Sequence, residues 1–292
     1  MADTPSFETV SYDDPAPHVA RITMNRPKAR NAQDLAMTYD LNAAFDLAAR
    51  DEDVKVIVLA GADPHFSAGH DLSGDGGKTW RDFPMVGTWG GFDPAGAEGR
   101  FARESEIYQG MTERWRNLPK PTIAAVQGKC IAGGLMLAWA CDIIIAADDA
   151  EFRDPVLEMG VCGVEFFAHP WEVGPRKAKE WLFTADWLTA EAARQLGMVN
   201  QVVPRDGLMP AVLEMAERIA RKPAFALKLT KQAVNQSQDS MGRPAAMAQS
   251  FALHQLCHSH NMQVHGIPVD PGGLPEGMRG RFTKRKSDEA AE

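Results

Sequence analysis

The sequence has few cysteines, no long uncharged apolar run and a shortage of positive charge. Its four cysteines form no CxxC pair and show no dense spacing, so we expect reduced thiols rather than a disulfide scaffold. No stretch reaches about 18 consecutive apolar residues, the length that a membrane-spanning helix needs. With 31 lysines and arginines against 39 acidic residues, the net charge of −8 argues against nucleic acid or an anionic membrane as a partner.

The remaining composition is that of a soluble globular protein. Residues 1–14 lack the basic and then apolar pattern of a signal peptide, which together with the reduced thiols predicts a cytoplasmic location. The 292 residues are 45% apolar, enough to bury one large core with a helical appendage. Because strand and helix patterns alternate first and helical patterns dominate later, we predict an α/β core over 1–204, a helical region over 205–281 and a charged, flexible tail over 282–292.

Individual elements follow from the hydrophobic periodicity. Residues 54–61 read VKVIVLAG, an apolar, β-branched run that is typical of a strand buried on both faces. Asp34 is a natural N-cap for an amphipathic helix over residues 34–50. A glycine-rich, mobile loop leading into a helix is predicted between residues 73 and 117. Further strands are predicted at 18–24, 121–126, 142–147 and 199–203, and further helices at 176–184, 189–196, 207–221, 224–236 and 245–260.

Two glycine-containing turns carry the strongest chemical signal. The first, FSAGHDL at residues 66–72, follows the buried strand, and its small residues let a ligand approach the backbone closely. The second, VQGKCIAGGL at residues 126–135, runs from a strand into a helix with Gly133 and Gly134 at its N-terminus. Free N–H groups at such a terminus point outward and would stabilise a developing oxyanion. Either turn alone is equally typical of an ordinary glycine turn.

Several long motifs stand in a fixed order between residues 18 and 203. They are RITMNRP followed by NA, VIVLAGA before FSAGHDL, PKPTIAAVQG, AGGLMLAWACDIIIAADDAEF and LGMVN. In this order the chain resembles the crotonase family, also called the enoyl-CoA hydratase/isomerase superfamily. The resemblance implies a spiral of ββα units with a C-terminal helical layer that forms a homotrimer or homohexamer. It also implies a coenzyme A thioester as substrate and no permanently bound cofactor or metal.

The same resemblance implies roles for individual residues. The backbone N–H groups of His70 and Gly133 would form the oxyanion hole for the thioester carbonyl. Lysine and arginine side chains on a surface are usually just solvated, so the assignment of two such residues to the CoA phosphates rests on the resemblance alone. Five residues would bind the CoA moiety: Lys28 and Arg30 at its phosphates, and Ala68, Asp71 and Leu72 at its adenine and pantetheine.

The resemblance breaks where hydratases of this family carry two glutamates that position and deprotonate a water molecule. Met136 and Val156 stand at those positions, and neither side chain can transfer a proton. Other branches place the acid or base on the following loop, where Glu165 lies among apolar residues. Such a pocket would raise the pKa of Glu165 toward neutrality, which suits acid/base catalysis, although a surface or helix-capping role is the alternative. Structural roles are favoured for the weaker candidates: Asp154, Glu158, His169 and the His70 side chain.

Three further clusters are interpreted as structural or stay open. Residues 67, 70 and 71 are too close within one turn to form a hydrolytic triad. The last predicted helix has a face that could in principle ligate a metal, but a polar helix face or a subunit contact is favoured. That face carries His254, Cys257 and His258, with His260 and His265 nearby. Aromatic residues in the long loop either line an acyl pocket or anchor the loop: Trp80, Phe83, Trp89, Phe92 and Phe101.

The sequence therefore predicts an enzyme that polarises the carbonyl of an acyl-CoA, nominally an enoyl-CoA hydratase. Double-bond isomerisation, thioester hydrolysis and decarboxylation stay open, because each passes through an oxyanion or enolate at the same carbonyl. A catalytically inert acyl-CoA binder is the alternative from a different class, since both hydratase glutamates are missing.

Overall fold

The computed structural model describes residues 6–74, 76–87, 90–274, 276 and 279. Trp89 and the predicted tail at 282–292 lie outside these residues. Within them, strands alternate with helices up to residue 203 and helices dominate beyond it, which confirms the predicted α/β class. None of the described helices is long and apolar enough to cross a membrane.

The described residues contain nine strands in two sheets. They are β1 (Val10–Ala16), β2 (Val19–Met24), β3 (Val56–Gly61), β4 (Thr122–Val126), β5 (Lys129–Ile131), β6 (Ile143–Ala147), β7 (Glu151–Arg153), β8 (Leu188–Thr189) and β9 (Gln201–Val203). The larger sheet has the order β1-β2-β3-β4-β6-β9, and its neighbouring strands are parallel except for the antiparallel pair β1 and β2. The smaller sheet has the order β5-β7-β8.

The helices of the described residues are α1 (Leu35–Arg50), α2 (Ala97–Glu104), α3 (Met111–Arg116), α4 (Gly133–Trp139), α5 (His169–Val173), α6 (Pro175–Thr184), α7 (Ala190–Gln195), α8 (Leu208–Ala220), α9 (Ala224–Ser240) and α10 (Arg243–His265). The predicted N-cap of α1 is confirmed: the Asp34 carboxylate accepts a hydrogen bond from the Met37 N–H. Such a cap contributes about 1 kcal/mol to stability.

The central strand β3 is buried on both faces, as its apolar run predicts. Its alternate side chains point to opposite sides of the sheet, so Ile57 and Leu59 join the main core with α1, whereas Val56 and Val58 face α8. Helix α8 covers that second face with small and apolar residues spaced four apart, which lie on one side of a helix. Residues beyond 204 therefore contribute to the hydrophobic core through α8.

The segment between β3 and β4 is more ordered than a loop. After a short turn at residues 80–82, a continuous helical stretch runs from α2 through a π-helix at Ser105–Gly110 into α3. Phe83 stacks on Tyr39 of α1 with ring centroids 4.6 Å apart, so this predicted loop aromatic anchors the segment to the core. A π-helix is a rare conformation that occurs mostly at functional sites.

Candidate active site

The two glycine turns come together at the carboxyl ends of β3 and β4. Ser67 pairs with Cys130: the Ser67 N–H donates to the Lys129 carbonyl at 3.1 Å, and the Ile131 N–H donates to the Ser67 carbonyl at 2.9 Å. A Cβ atom on Gly134 would lie 2.7 Å from the Ser67 carbonyl oxygen, so only glycine allows this approach. The structure thus joins two motifs that are about 65 residues apart in sequence.

The backbone around His70 leaves its N–H free of the neighbouring chain. Gln33 donates its N–H to the Gly69 carbonyl at 2.8 Å and accepts the Asp71 N–H at 2.8 Å. In such a bridge the groups that flank His70 face Gln33, so the N–H of His70 itself points to the opposite side. On that side lies Gly133, since a Cβ atom on Gly69 would be 3.2 Å from the Gly133 nitrogen.

Gly133 is the first residue of α4, and a strained residue precedes it. Ala132 has φ 47° and ψ −111°, a conformation that side-chain-bearing residues rarely adopt. The strain turns the chain sharply from β5 into the helix, where the first N–H groups have no partner within the helix. The turn that carries His70 therefore packs against the N-terminus of α4, where the Gly133 N–H has no partner within the helix. The oxyanion hole formed by the N–H groups of His70 and Gly133 stays a prediction.

The imidazole of His70 fills the space beside Gly133. A Cβ atom on Gly133 would lie 2.6 Å from the His70 Cε1 and 2.8 Å from its Nδ1, so glycine is required here as well. On another side, the ring stacks on Tyr108 of the π-helix with centroids 3.8 Å apart. Its Nε2 lies 3.1 Å from Oε2 of Glu165, a residue 95 positions away in sequence.

Glu165 is buried and ionised, contrary to the raised pKa predicted from its apolar neighbours. Burial alone would raise the pKa of Glu165, but the imidazoles of His70 and His254 outweigh burial and lower the pKa to about 2. The prediction of the direction was wrong because both histidines arrive from distant segments. Next to an ionised carboxylate, Nε2 of His70 carries a proton, and in the neutral imidazole Nδ1 then has the lone pair. That Nδ1 is buried without a hydrogen-bond partner among the described residues.

Met136 and Val156, at the positions of the usual hydratase glutamates, are buried and apolar. Met136 lies in the first turn of α4, three residues after Gly133, and Val156 begins the short 3-10 helix after β7. Both belong to the main hydrophobic core. Their side chains cannot hold or activate a water molecule by hydrogen bonding, so proton transfer has to come from other residues.

The weaker acid candidates have structural partners. Asp154 is buried and accepts hydrogen bonds from the N–H groups of Val156 and Val164 and from Nε2 of His169, at 3.2, 3.1 and 2.9 Å. It thereby holds the loop that carries Glu165. Glu158 is half exposed and forms an ion pair with Arg153 at 2.7 Å.

Two turns that carry residues predicted to bind CoA contact each other. The Ala68 N–H donates to the Arg30 carbonyl at 3.0 Å, which joins the turn after β2 to the turn after β3. Lys28 and Arg30 are exposed and Leu72 is partly exposed, as contacts with a ligand require. The Asp71 carboxylate instead pairs with Arg26 at 3.0 Å and caps Ser73, so its side chain holds the turn in place.

The predicted absence of a hydrolytic triad agrees with the geometry. The Ser67 hydroxyl is fully buried and donates to the Asn31 carbonyl at 2.8 Å, so it is not a free nucleophile. On α10, Cys257 does not share a ligand cluster with the neighbouring histidines. His254 and His258 instead approach Glu104, which comes from α2 about 150 residues earlier. No sequence pattern could have identified Glu104 or Tyr108 as neighbours of the site.

Comparison with known proteins identifies the family. The family model for enoyl-CoA hydratase/isomerase matches residues 16–82 and 94–272. The chain belongs to the enoyl-CoA hydratase/isomerase family. A Mycobacterium tuberculosis protein with a provisional enoyl-CoA hydratase name is 45% identical over 280 residues, which are 93% of this chain and 87% of the relative.

Further members of the enoyl-CoA hydratase/isomerase family support the same assignment. The crystal structure of a probable enoyl-CoA hydratase from Mycobacterium thermoresistibile superposes with a TM-score of 0.81 at 49% identity, covering 89% of this chain and 98% of that one. The 2,3-dehydroadipyl-CoA hydratase of Escherichia coli is 30% identical over 85% of this chain and 90% of its own length. The predicted crotonase fold and the prediction of an enzyme of this family are confirmed.

Proposed function

We propose that the protein is an enoyl-CoA hydratase in which the pair of His70 and Glu165 replaces the two missing glutamates. The observation that carries this proposal is the 3.1 Å contact between His70 Nε2 and Glu165 Oε2, directly beside the backbone of Gly133. A carboxylate that orients one imidazole nitrogen leaves the other free to exchange protons, as in histidine-based hydrolytic sites. The names of the relatives support the same substrate class.

The proposed reaction uses groups of this chain alone. The thioester oxygen accepts hydrogen bonds from the N–H groups of His70 and Gly133, and negative charge collects there as water adds to the β-carbon. His70 Nδ1 accepts a proton from that water and returns a proton to the α-carbon, so that H and OH add across the double bond. Glu165 stays ionised and stabilises the imidazolium that forms in between. These steps need no bound cofactor.

A second reaction, migration of the double bond, is favoured by one observation. Met136 and Val156 provide no second acid or base, and an isomerase needs only one group that moves a proton from the γ-carbon to the α-carbon. Thioester hydrolysis and decarboxylation would use the same oxyanion hole. An inert acyl-CoA binder would keep the hole and lack turnover.

The test compares two isomeric substrates. Untagged protein is mixed with trans-2-enoyl-CoA and, separately, with 3-enoyl-CoA thioesters of short to long chains, and the absorbance of the conjugated enoyl thioester is followed. Loss of the band from the 2-enoyl substrate supports hydration. Appearance of the band from the 3-enoyl substrate alone supports isomerisation. Unchanged absorbance with both substrates, together with measurable binding of the CoA ester, would contradict both reactions and leave hydrolase, decarboxylase or inert binder.

The assembly that we propose is a homotrimer or homohexamer, formed through α9 and α10. This proposal is supported by large apolar side chains that these helices leave exposed: Phe225, Leu229, Val234, Leu253 and Leu256. Light scattering after size-exclusion chromatography measures the mass directly, and a monomer of 31.9 kDa would contradict it. We further propose a cytoplasmic location, and Lys28 and Arg30 as contacts of the CoA phosphates.

A further inference from the structure

A buried cluster of one carboxylate and two imidazoles lies behind Glu165. Nε2 of His254 and Nε2 of His258 are each 3.9 Å from the same oxygen, Oε2 of Glu104. The three potential ligand atoms lie within 4.8 Å of one another, and all three residues are buried. These distances are too long for hydrogen bonds, so the atoms converge on a common space without contacting each other.

Both imidazoles are oriented by hydrogen bonds to backbone carbonyls. Nδ1 of His254 lies 2.7 Å from the Gly163 carbonyl oxygen, and Nδ1 of His258 lies 2.5 Å from that of Pro268. Because a carbonyl only accepts, each Nδ1 carries the proton, and in the neutral ring each Nε2 presents a lone pair toward Glu104. Metal-binding histidines are typically held in this way, with the second nitrogen donating to a carbonyl or carboxylate.

The lack of a hydrogen-bond partner at His254 Nε2 is the observation that indicates a ligand. The His254 side chain is only 4% exposed, and its Nε2 has no hydrogen-bond partner among the described residues. A buried polar atom without a partner costs about 1–3 kcal/mol unless something binds it. The Glu165 carboxylate lies 3.6 Å away on one side and Glu104 3.9 Å away on the other, so this nitrogen stands between two acidic groups.

We propose that Glu104, His254 and His258 form a binding site for Zn²⁺. Two imidazole nitrogens and one carboxylate oxygen are ligands that zinc prefers. Bonds of about 2.1 Å in a tetrahedral site place ligand atoms roughly 3.4 Å apart, so each imidazole has to approach the Glu104 oxygen by about half an ångström. The dication would also stabilise the buried carboxylates of Glu104 and Glu165.

The residues around the cluster hold its ligands in position. Gln255 donates its side-chain amide to Glu104 and so orients the carboxylate. Arg100 is directed to Gln255 and Ser259, at 3.2 and 3.0 Å, rather than to the cluster. A cavity of 530 Å³ is lined by Arg100, Ser259 and Pro268, whose carbonyl holds His258. The π-helix that carries Tyr108 to His70 starts directly after Glu104, so the ion would tie this helix to α10 behind the active site.

The test measures metal directly. Untagged full-length protein is incubated with Zn²⁺, dialysed and analysed by mass spectrometry for metal content, and Co²⁺ is used as a probe with visible absorbance. We expect about one Zn²⁺ per chain, ligand-field bands typical of a tetrahedral Co²⁺ site, and a melting temperature that rises by several degrees on Zn²⁺ addition. Glu104→Gln and His258→Ala should each weaken Zn²⁺ binding by about 100-fold or more.

His260→Ala is the matched control, because His260 lies on the same helix but is exposed. It should retain the metal. Loss of Zn²⁺ from the wild-type protein on dialysis would overturn the proposal. Equal metal loss in His260→Ala and His258→Ala would overturn it as well, since binding would then be at the surface. The wild-type measurements decide even if a variant does not fold. The proposal is independent of the hydratase assay, because metal content is measured without substrate.

Discussion

Replacing Glu165 with glutamine should lower kcat/KM about 100-fold without changing the affinity for a non-reactive CoA ester. Glutamine keeps the size of the side chain and a hydrogen bond to His70 but removes the charge. The neighbouring histidines lower the pKa of Glu165 to about 2 despite its burial, so the carboxylate is ionised beside His70. A hydrogen bond to an ionised group contributes about 1.5–3 kcal/mol. If this interaction supports the imidazolium of the transition state, its loss corresponds to about two orders of magnitude in rate.

The assay follows the absorbance of the conjugated enoyl thioester, with CoA-ester binding measured by calorimetry. Glu158→Gln is the matched control, since it removes a half-exposed carboxylate from the same loop, and its kcat/KM should stay within about twofold of wild type. Metal content and circular dichroism of each sample separate a rate effect from loss of an ion or of the fold. A Glu165→Gln enzyme with wild-type kcat/KM would refute the reasoning and remove Glu165 from the mechanism.

Three further predictions concern the oxyanion hole, the pH dependence of stability and the loop behind the site. Gly133→Ala should lower kcat about 100-fold in the same assay, because its methyl group would lie 2.6 Å from the His70 Cε1 and displace the imidazole; an unchanged kcat would show that the ring position does not matter for the reaction. Burial raises the pKa of Glu172 to about 7, despite the opposing charges of two arginines. The folded protein is therefore most stable with Glu172 protonated. This contribution to stability is fully present below pH 4.5 and is lost as the pH rises to 7. In the Glu172→Gln variant, the free energy of unfolding measured in urea should fall by up to roughly 3 kcal/mol less than in the wild type as the pH rises from 5 to 8. The same pH dependence of this free energy in both proteins would count against the prediction. Asp154→Ala should destabilise by about 3 kcal/mol in the same measurement, since Val164 N–H and two other donors lose their buried acceptor; a change below about 1 kcal/mol would show that water replaces it.

The elements that sequence predicted correctly are those with a strong local signal. The run at β3 is apolar throughout and β-branched, and a side chain there is buried whichever face it points to. The start of α1 depends only on Asp34 and the backbone three residues later. The pair of glycine turns could be predicted because the close backbone approach admits no other residue, so each turn leaves a signature in sequence.

The elements that sequence missed are short or depend on a partner. Strands β5, β7 and β8 have two or three residues each, too few for a periodic pattern, and they exist because they pair with one another. Strand β1 is rich in polar residues and contains a proline, so its sequence does not indicate a strand. It forms one because it pairs antiparallel with β2. Helix α8 was predicted as a helix, but its position against the main sheet was not. That position depends on which face of the sheet the other helices leave uncovered.

The sequence by itself determined the family, five strands of the main sheet and the apolar residues at the positions of both usual glutamates, because each of these is written in contiguous residues. The tertiary structure decided which side chains lie around His70 and Glu165. His70, Glu165, His254 and Glu104 come from four separate segments, and their mutual distances exist only once the chain is folded. The pKa of Glu165 follows from those distances: its apolar sequence neighbours argue for a neutral acid, whereas the imidazoles that folding brings beside it keep it charged.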